Sequence, residues 1–301
     1  MRFAVKDVNL PLAFSGTSRE KSPDLFLSLG DIPYADTREP ALLSARYREA
    51  RSDPRFLALA REVPVLAIWD DHDFGGNEMD GRDPGKEIAL RTFRAYWPNP
   101  GSGDPNASLP AGIWSTFRWG QVELFLLDDQ SSLNLPRPGV DFLGAEQRRW
   151  LEQALSSSTA AIKLIASGSP FHDRPVSQRI LGLFPIVRRD AWWAYPDRDW
   201  LLDLIARNKI AGVVLLAGDL HRHEVHRLAW KGDYPLIELI SSPLRQHLRS
   251  CVRSADSRQW CAAQEGFALL EIDRDSVTYS FWDARGQPLR QPATLHPLPI
   301  N

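Results

Sequence analysis

The sequence contains few cysteines and no long apolar run. Only Cys251 and Cys261 are cysteine, and nine residues separate them, so a single bridge across a loop and two free thiols are both consistent with the spacing. No apolar stretch reaches the roughly 20 residues that a membrane-spanning helix needs. The N-terminal residues show no secretory signal, which favours the cytoplasm.

The chain also lacks a strong charge imbalance. Its 36 basic and 38 acidic residues leave a net charge of −2, so nothing attracts nucleic acid or an anionic membrane. A G-x-S-x-G elbow is absent, which argues against a serine hydrolase built on Ser169. We therefore expect a small-molecule ligand, no nucleic-acid partner and no membrane span, while the oligomeric state stays open.

Apolar runs alternate with segments of helical periodicity, which indicates an α/β fold with largely parallel strands. Strands are predicted at 3–5, 25–29, 63–69, 122–127, 162–166, 213–217 and 236–240. Helices are predicted at 41–63, 85–97, 144–157 and 198–208. Near the C-terminus, 266–273 and 276–283 predict an antiparallel hairpin at an edge or in a second sheet.

Three of the predicted strands end in clusters of acidic and imidazole groups. These are GDIPYAD (30–36), WDDHDFGGNE (69–78) and AGDLHRHE (217–224). Ligands bind outside the carboxyl ends of strands in α/β sheets, so the three clusters are expected to converge at one site. Because the clusters span residues 31 to 224, no cut between them would leave that site intact, and residues 1–301 are expected to form one domain. An Asp after a strand is often only a turn former or an N-cap. However, adjacent carboxylates at Asp70 and Asp71 would repel each other unless cations neutralised them, so a dinuclear metal centre is predicted.

The same segments resemble the alkaline phosphatase D family, the PhoD-like metallophosphatases of the calcineurin-like metallophosphoesterase superfamily. The resemblance extends to LFLLDDQSS (124–132), LGAEQRRWLEQAL (143–155) and DRDWLLDLI (197–205). It implies a four-layer α/β/β/α sandwich carrying the C-terminal hairpin. It also implies a phosphomonoesterase or phosphodiesterase that hydrolyses a small phosphate ester with a metal-bound hydroxide.

The resemblance assigns a role to each motif residue. It implies that Asp31 bridges two metal ions, that Tyr34 ligates one of them, and that His72 acts on the leaving oxygen. The further ligands implied are Asp71, Asn77, Asp219 and His221. Orienting partners of the ligands would be Asp70, His223 and Glu224. Two or more ions are expected, drawn from Fe, Ca, Mn or Zn.

The chain departs from the family pattern at three points. The family's Gly-Ser-Cys ligand segment is missing, so either Asp7 or Asn9 replaces the thiolate, or that metal site is weakened or lost. Gln130 occupies the position of an Arg that would face substrate. His172 is the candidate for the superfamily's middle-motif histidine. These departures leave open an incompletely metallated protein that binds a phosphate ligand without hydrolysing it.

Overall fold

The computed structural model describes residues 1–6, 23–76, 79–100, 112–133, 142–172, 195–242, 248–251 and 257–298. The strands are β1 (Arg2–Lys6), β2 (Leu25–Leu29), β3 (Val65–Ile68), β4 (Ser115–Trp119), β5 (Val122–Leu126), β6 (Ile162–Ser167), β7 (Val213–Ala217), β8 (His223–Arg227), β9 (Ile237–Ser241), β10 (Arg258–Ala262), β11 (Gly266–Ile272), β12 (Val277–Asp283) and β13 (Pro288–Leu295). The helices are α1 (Pro40–Arg51), α2 (Pro54–Ala60), α3 (Asp71–Phe74), α4 (Lys86–Tyr96), α5 (Gly144–Ser157) and α6 (Tyr195–Arg207).

The strands form two mixed sheets. One has the order β13-β12-β11-β1-β2-β3, and the other has the order β10-β8-β9-β7-β6-β5-β4. In the first sheet β1, β2 and β3 are parallel. In the second sheet β5, β6, β7 and β9 are parallel. Parallel strands have their carboxyl ends at the same edge, and this brings the polar loops together.

Alternating side chains of the parallel strands build two apolar cores. On β5, Leu124 joins a core that also contains Phe26 and Leu269 of the other sheet, so this core lies between the sheets. Phe125 points to the opposite face, where Leu151 of α5 covers it. A strand buried on both faces reads as a continuous apolar run, which explains why these strands were predictable. Together with α1, α2 and α4 on the other side, this gives the α/β/β/α layering that was predicted.

The predicted strands and the C-terminal hairpin are confirmed, but one helix prediction is wrong. Residues 41–63 form two helices, because the chain breaks before Pro54 and the Asp53 side chain caps α2 by accepting a 2.8 Å bond from the Arg55 amide. The hairpin strands β11 and β12 lie inside their sheet, because β13 pairs with β12. No helix in the described ranges is long and apolar enough to cross a membrane.

Four strands, namely β4, β8, β10 and β13, escaped prediction because their residues are too polar to form apolar runs. The clearest case is β8, with the sequence HEVHR, in which two histidines and a glutamate are buried. Buried polar side chains in a strand require partners, and those partners come from distant segments that the local pattern cannot show.

Candidate active site

Five loops meet where the carboxyl ends of the two sheets lie side by side. In one sheet Leu29 is opposite Ile68, so the loops after β2 and β3 are neighbours. In the other sheet Ser167 is opposite Ala217, so the loops after β6 and β7 are neighbours too. A hydrogen bond joins the loops of the two sheets, because Gln130, after β5, donates a 2.8 Å bond to Asp70, after β3.

Gly30 allows the first two motifs to approach closely. A Cβ atom at this position would lie 2.7 Å from Cβ of Asp70 and 2.8 Å from its backbone nitrogen. The residue also has φ +102°, a conformation that favours glycine. The contact places Asp31 and Asp70 next to each other at the edge of the sheet.

We expect Gly30→Ala to destabilise the protein by several kcal/mol, on the order of 3, because the methyl group would collide with backbone as well as with Asp70. Gly120→Ala is the matched control, since Gly120 also has positive φ, at +59°, but its nearest atom would be 3.7 Å away. The control gives the cost of a left-handed backbone without a close contact, roughly 1 kcal/mol, and the φ of Gly30 is less tolerant of a side chain than that of Gly120. Urea unfolding measures both, and equal losses would show that the contact with Asp70 is not tight.

Asp31 is the shared member of two groups of candidate ligands. On one side the Tyr34 hydroxyl donates to its Oδ2, and that hydroxyl lies 3.1 Å from Nε2 of His221, which is itself 3.9 Å from the same Oδ2. On the other side, ligand atoms of Asp31, Asp71 and His72 all lie within 4.8 Å of one another. A carboxylate between two ligand groups has the arrangement that a bridging ligand needs.

The loops that carry these side chains have an unusual backbone. Five of the six non-glycine residues with positive φ in the described part of the chain lie here. They are Asp31, Tyr34, Asp36, Asp219 and His221. Such conformations cost free energy and cluster at functional sites. They indicate that the loops are shaped to present side chains rather than to minimise local strain.

Asp70 and Asp73 of the second motif accept hydrogen bonds that shape the loop. Asp70 is the N-cap of α3 and accepts a 2.9 Å bond from the Asp71 amide. Asp73 is fully buried and accepts bonds from the Ile32 amide and from the Tyr47 hydroxyl, at 3.2 and 3.1 Å. These bonds lock the second motif onto the first. Asp71 and His72, on the first turn of α3, each place a ligand atom within 4.8 Å of one on Asp31.

His72 lies at the mouth of the site with a carboxylate partner. Its Nδ1 is 2.6 Å from Oδ1 of Asp36, and its ring packs on Tyr34 at 4.0 Å between centroids. Burial lowers the pKa of His72, but the carboxylates of Asp31, Asp71 and Asp36 together raise it by more, so the net shift is upward. Asp36 was not assigned a role from sequence, although it belongs to the first motif. Its nearness to His72 could be seen only in three dimensions.

Carboxylates crowd the floor of the site. Burial, followed by the charge of Asp129, raises the pKa of Asp70 well above its ordinary value, and Asp71, Asp31 and Asp219 add to the effect. Burial likewise raises the pKa of Asp129 to about 7. Asp129 accepts bonds from Ser167 and the Ser169 amide through Oδ2, whereas its Oδ1 has no partner in the described ranges. Protons or cations must neutralise this cluster.

The donor set suits metal ions. Asp31 is 3 % exposed, and its Oδ1 is buried without a hydrogen-bond partner among the described residues. Unpaired buried carboxylate oxygens are costly unless a cation binds them. Together with an imidazole and a phenol they form a mixed O/N set that accepts hard or borderline cations. The residues therefore fit the metal ions that the sequence resemblance implies.

Gln130, at the position where the family pattern has an Arg, contacts the second motif. The side chain is fully buried, and its amide donates to Asp70 at 2.8 Å. The neighbouring Asp128 explains this position, because it accepts bonds from the Gln130 and Ser131 amides at 3.1 and 2.9 Å and so turns the loop inwards. Gln130 therefore supports the carboxylate cluster through its amide.

His172 belongs to a separate buried network. Its Nδ1 lies 2.8 Å from Oε2 of Glu238, and its ring stacks on His226 at 3.6 Å. The Phe171 and His172 amides also donate to the Glu238 carboxylate. The described contacts thus place His172 in the outer face of the second sheet, where it anchors the loop after β6.

Glu224 contacts none of the predicted ligands in the described ranges, although sequence reasoning placed it beside them. It pairs with Arg222 at 2.7 Å, with Arg258 at 2.9 Å and with His226 at 2.7 Å. Burial raises the pKa of Glu224, but the hydrogen bonds and charges of His226 and Arg222 lower it by more. The net result is a pKa of about 2. One of these partners, Arg222, is the residue after His221. His223 is fully buried at the start of β8, with its ring 5.3 Å from that of Phe281. Asn77, Asp7 and Asn9 lie outside the described residues.

A curated protein of known name is similar to part of this chain. The chain is 27 % identical over 204 residues to alkaline phosphatase D of Bacillus subtilis (strain 168), a match that covers 58 % of this chain and 34 % of the relative. This match therefore spans about a third of the length of the curated relative.

Solved structures show the same fold. A structure of PhoD superposes with a TM-score of 0.70 at 18 % identity, covering 99 % of this chain and 70 % of the other. The purple acid phosphatase PPD1 from yellow lupin (Lupinus luteus) seeds gives 0.66 at 11 % identity, covering 98 % of this chain and 53 % of the other. At these identities the likeness concerns the fold alone. The PhoD-like phosphatase family model matches residues 12–286, so the chain belongs to the PhoD-like phosphatase family.

Proposed function

We propose that this chain hydrolyses phosphate esters at a dinuclear metal centre bridged by Asp31. The observation that carries the proposal is that Asp31 adjoins two groups of site residues, namely Tyr34 and His221 in one group and Asp71 with the proposed proton donor His72 in the other. Membership of the PhoD-like phosphatase family supports phosphoester hydrolysis in general. Asp219 lies close enough to raise the pKa of Asp70, which supports a ligand role for it as well.

The protein residues have separate tasks in the proposed reaction. Tyr34, His221, Asp31, Asp71 and Asp219 would hold the ions. When bound, the ions would neutralise phosphate charge and lower the pKa of a coordinated water. Asp36 holds Nδ1 of His72, so Nε2 is the nitrogen that can give a proton to the leaving oxygen. Asp73, which accepts from the Ile32 amide, and Gln130, which donates to Asp70, hold the second motif in place.

Metal analysis combined with a substrate panel tests this function. We expect the purified protein to contain close to two ions per chain and to hydrolyse nitrophenyl phosphate or bis(nitrophenyl) phosphate, with chelation abolishing turnover and metal restoring it. The ratio of the two activities assigns the preference for monoesters or diesters. A protein that turns over neither ester when fully loaded with metal would contradict the proposal.

One observation favours the alternative, a binding protein without turnover. Gln130 stands where the family pattern has an Arg that faces substrate, and its amide donates a hydrogen bond to Asp70. A neutral glutamine supplies no positive charge to a phosphate. In that case the chain would bind inorganic phosphate but carry fewer than two ions and show no hydrolysis. The metal analysis separates the two functions directly.

A further inference from the structure

A disulfide crosslinks the chain next to the proposed metal centre. Cys251 is bonded to Cys261, which resolves the alternatives that the sequence left open. Cys261 lies on β10 directly opposite Glu224 of β8. Because β8 begins immediately after the loop that carries Asp219 and His221, the disulfide fixes the tethered segment, residues 248–251, beside that loop.

The tethered segment touches the backbone of a proposed ligand. The Arg249 amide donates a 3.1 Å bond to the carbonyl oxygen of His221. The carbonyl of Cys251 accepts from Arg258 at 3.4 Å, and Arg258 also binds Glu224. Glu224 in turn binds Arg222, the residue after His221. The disulfide and these bonds therefore reach the His221 loop by two routes.

His221 needs such support because its φ is +51°. A histidine adopts the left-handed conformation only when its surroundings determine it. A single backbone hydrogen bond from a flexible segment contributes little, because ordering the segment costs entropy of similar size. The covalent bond removes much of that cost, since it restricts the segment before the hydrogen bond forms.

We propose that the Cys251–Cys261 disulfide is a positioning element of the metal centre, which holds the His221 backbone for metal binding, and that its reduction weakens metal binding. This inference rests on the proposed function, because it concerns the same ligand. Reduction by a dithiol transfers two electrons and two protons, so that one disulfide becomes two thiols while the dithiol becomes a disulfide. The bond persists where the surroundings are oxidising. The pair thus gives no support to the cytoplasmic location expected from sequence.

The first experiment compares the wild-type chain with Cys251→Ser/Cys261→Ser by titrating Mn²⁺ into the metal-free proteins in a calorimeter. We expect affinity to fall about ten-fold in the double variant, the size of effect typical for residues that support a ligand. Wild type treated with a phosphine should fall equally, with the phosphine and water giving phosphine oxide and two thiols. The phosphine should not change the double variant, because the chain has no other cysteine.

A second pair of variants tests the link itself with the disulfide intact, and it remains informative if the double variant misfolds. Arg249→Pro removes the amide that donates to His221, whereas Arg249→Ala keeps it. We expect Arg249→Pro alone to weaken Mn²⁺ binding. Equal affinity in all oxidised, reduced and substituted proteins would overturn this inference and leave the proposed function standing. A wild-type protein that binds no Mn²⁺ or other divalent ion would overturn both.

Discussion

Asp31→Asn is expected to lower phosphoesterase activity on the order of 1,000-fold or more and to remove bound metal, because the amide cannot bridge two cations. A bound cation contributes several kcal/mol to transition-state stabilisation, and each ten-fold change in rate corresponds to about 1.4 kcal/mol. The loss should appear in kcat, and metal analysis of the same sample should show fewer ions per chain.

The fold should survive this substitution. Asn tolerates the positive φ of +55° at this position, and loss of the charge relieves repulsion with Asp70. We therefore expect the metal-free variant to be as stable as the metal-free wild type, or more so, in urea unfolding. Asp199→Asn is the matched control, since that carboxylate is 59 % exposed on α6, and it should change neither property. Normal activity with full metal in Asp31→Asn would refute the dinuclear proposal.

The sequence allowed the convergence of the three motifs to be predicted because it depends on local features. Apolar runs that end in Gly-Asp or Asp-Asp predict buried strands and polar loops, and parallel pairing places those loops at one edge. The positions of Asp31, Tyr34, His72 and His221 near one another follow from that rule. The family resemblance supplied the roles, which the strand pattern alone could not.

Side-chain partners could not be predicted because they depend on contacts across the two sheets. Asp70, Asp71 and Asp73 are adjacent in sequence and chemically alike, yet two of them act as a cap and a buried acceptor. Gln130 and His172 were placed by motif position alone. Gln130 hydrogen-bonds to Asp70 and His172 to Glu238, because buried polar groups need partners and the fold supplies these two.

The charge balance of the site is a consequence of the same packing. Asp129 follows β5, Asp70 follows β3 and Asp219 follows β7, and the assembled sheets bring Asp129 and Asp219 close enough to repel Asp70. A cluster of this kind is expensive in a folded protein unless cations bind to it. The cost is visible in the raised pKa of Asp70. This links the fold to the metal dependence that we propose.

His72→Ala is expected to reduce turnover of alkyl phosphates about 100-fold or more, while turnover of nitrophenyl phosphate falls far less. General acid catalysis contributes on the order of 100- to 10,000-fold, and only a poor leaving group needs the proton. The measurement is kcat for a series of esters with increasing leaving-group pKa, with metal content checked in each sample. The slope of log kcat against that pKa should become steeper in the variant.

Asp36→Asn should follow the same pattern with a smaller loss, because Asp36 acts only through Nδ1 of His72, at 2.6 Å. The amide can still accept a hydrogen bond but carries no charge to stabilise the protonated imidazole. Asp203→Asn is the matched control, since that carboxylate is about as exposed as Asp36 and pairs with Lys231 at 3.1 Å. Equal losses on alkyl and nitrophenyl esters in His72→Ala, accompanied by loss of metal, would instead make His72 a ligand, as its distance from Asp31 and Asp71 would also allow.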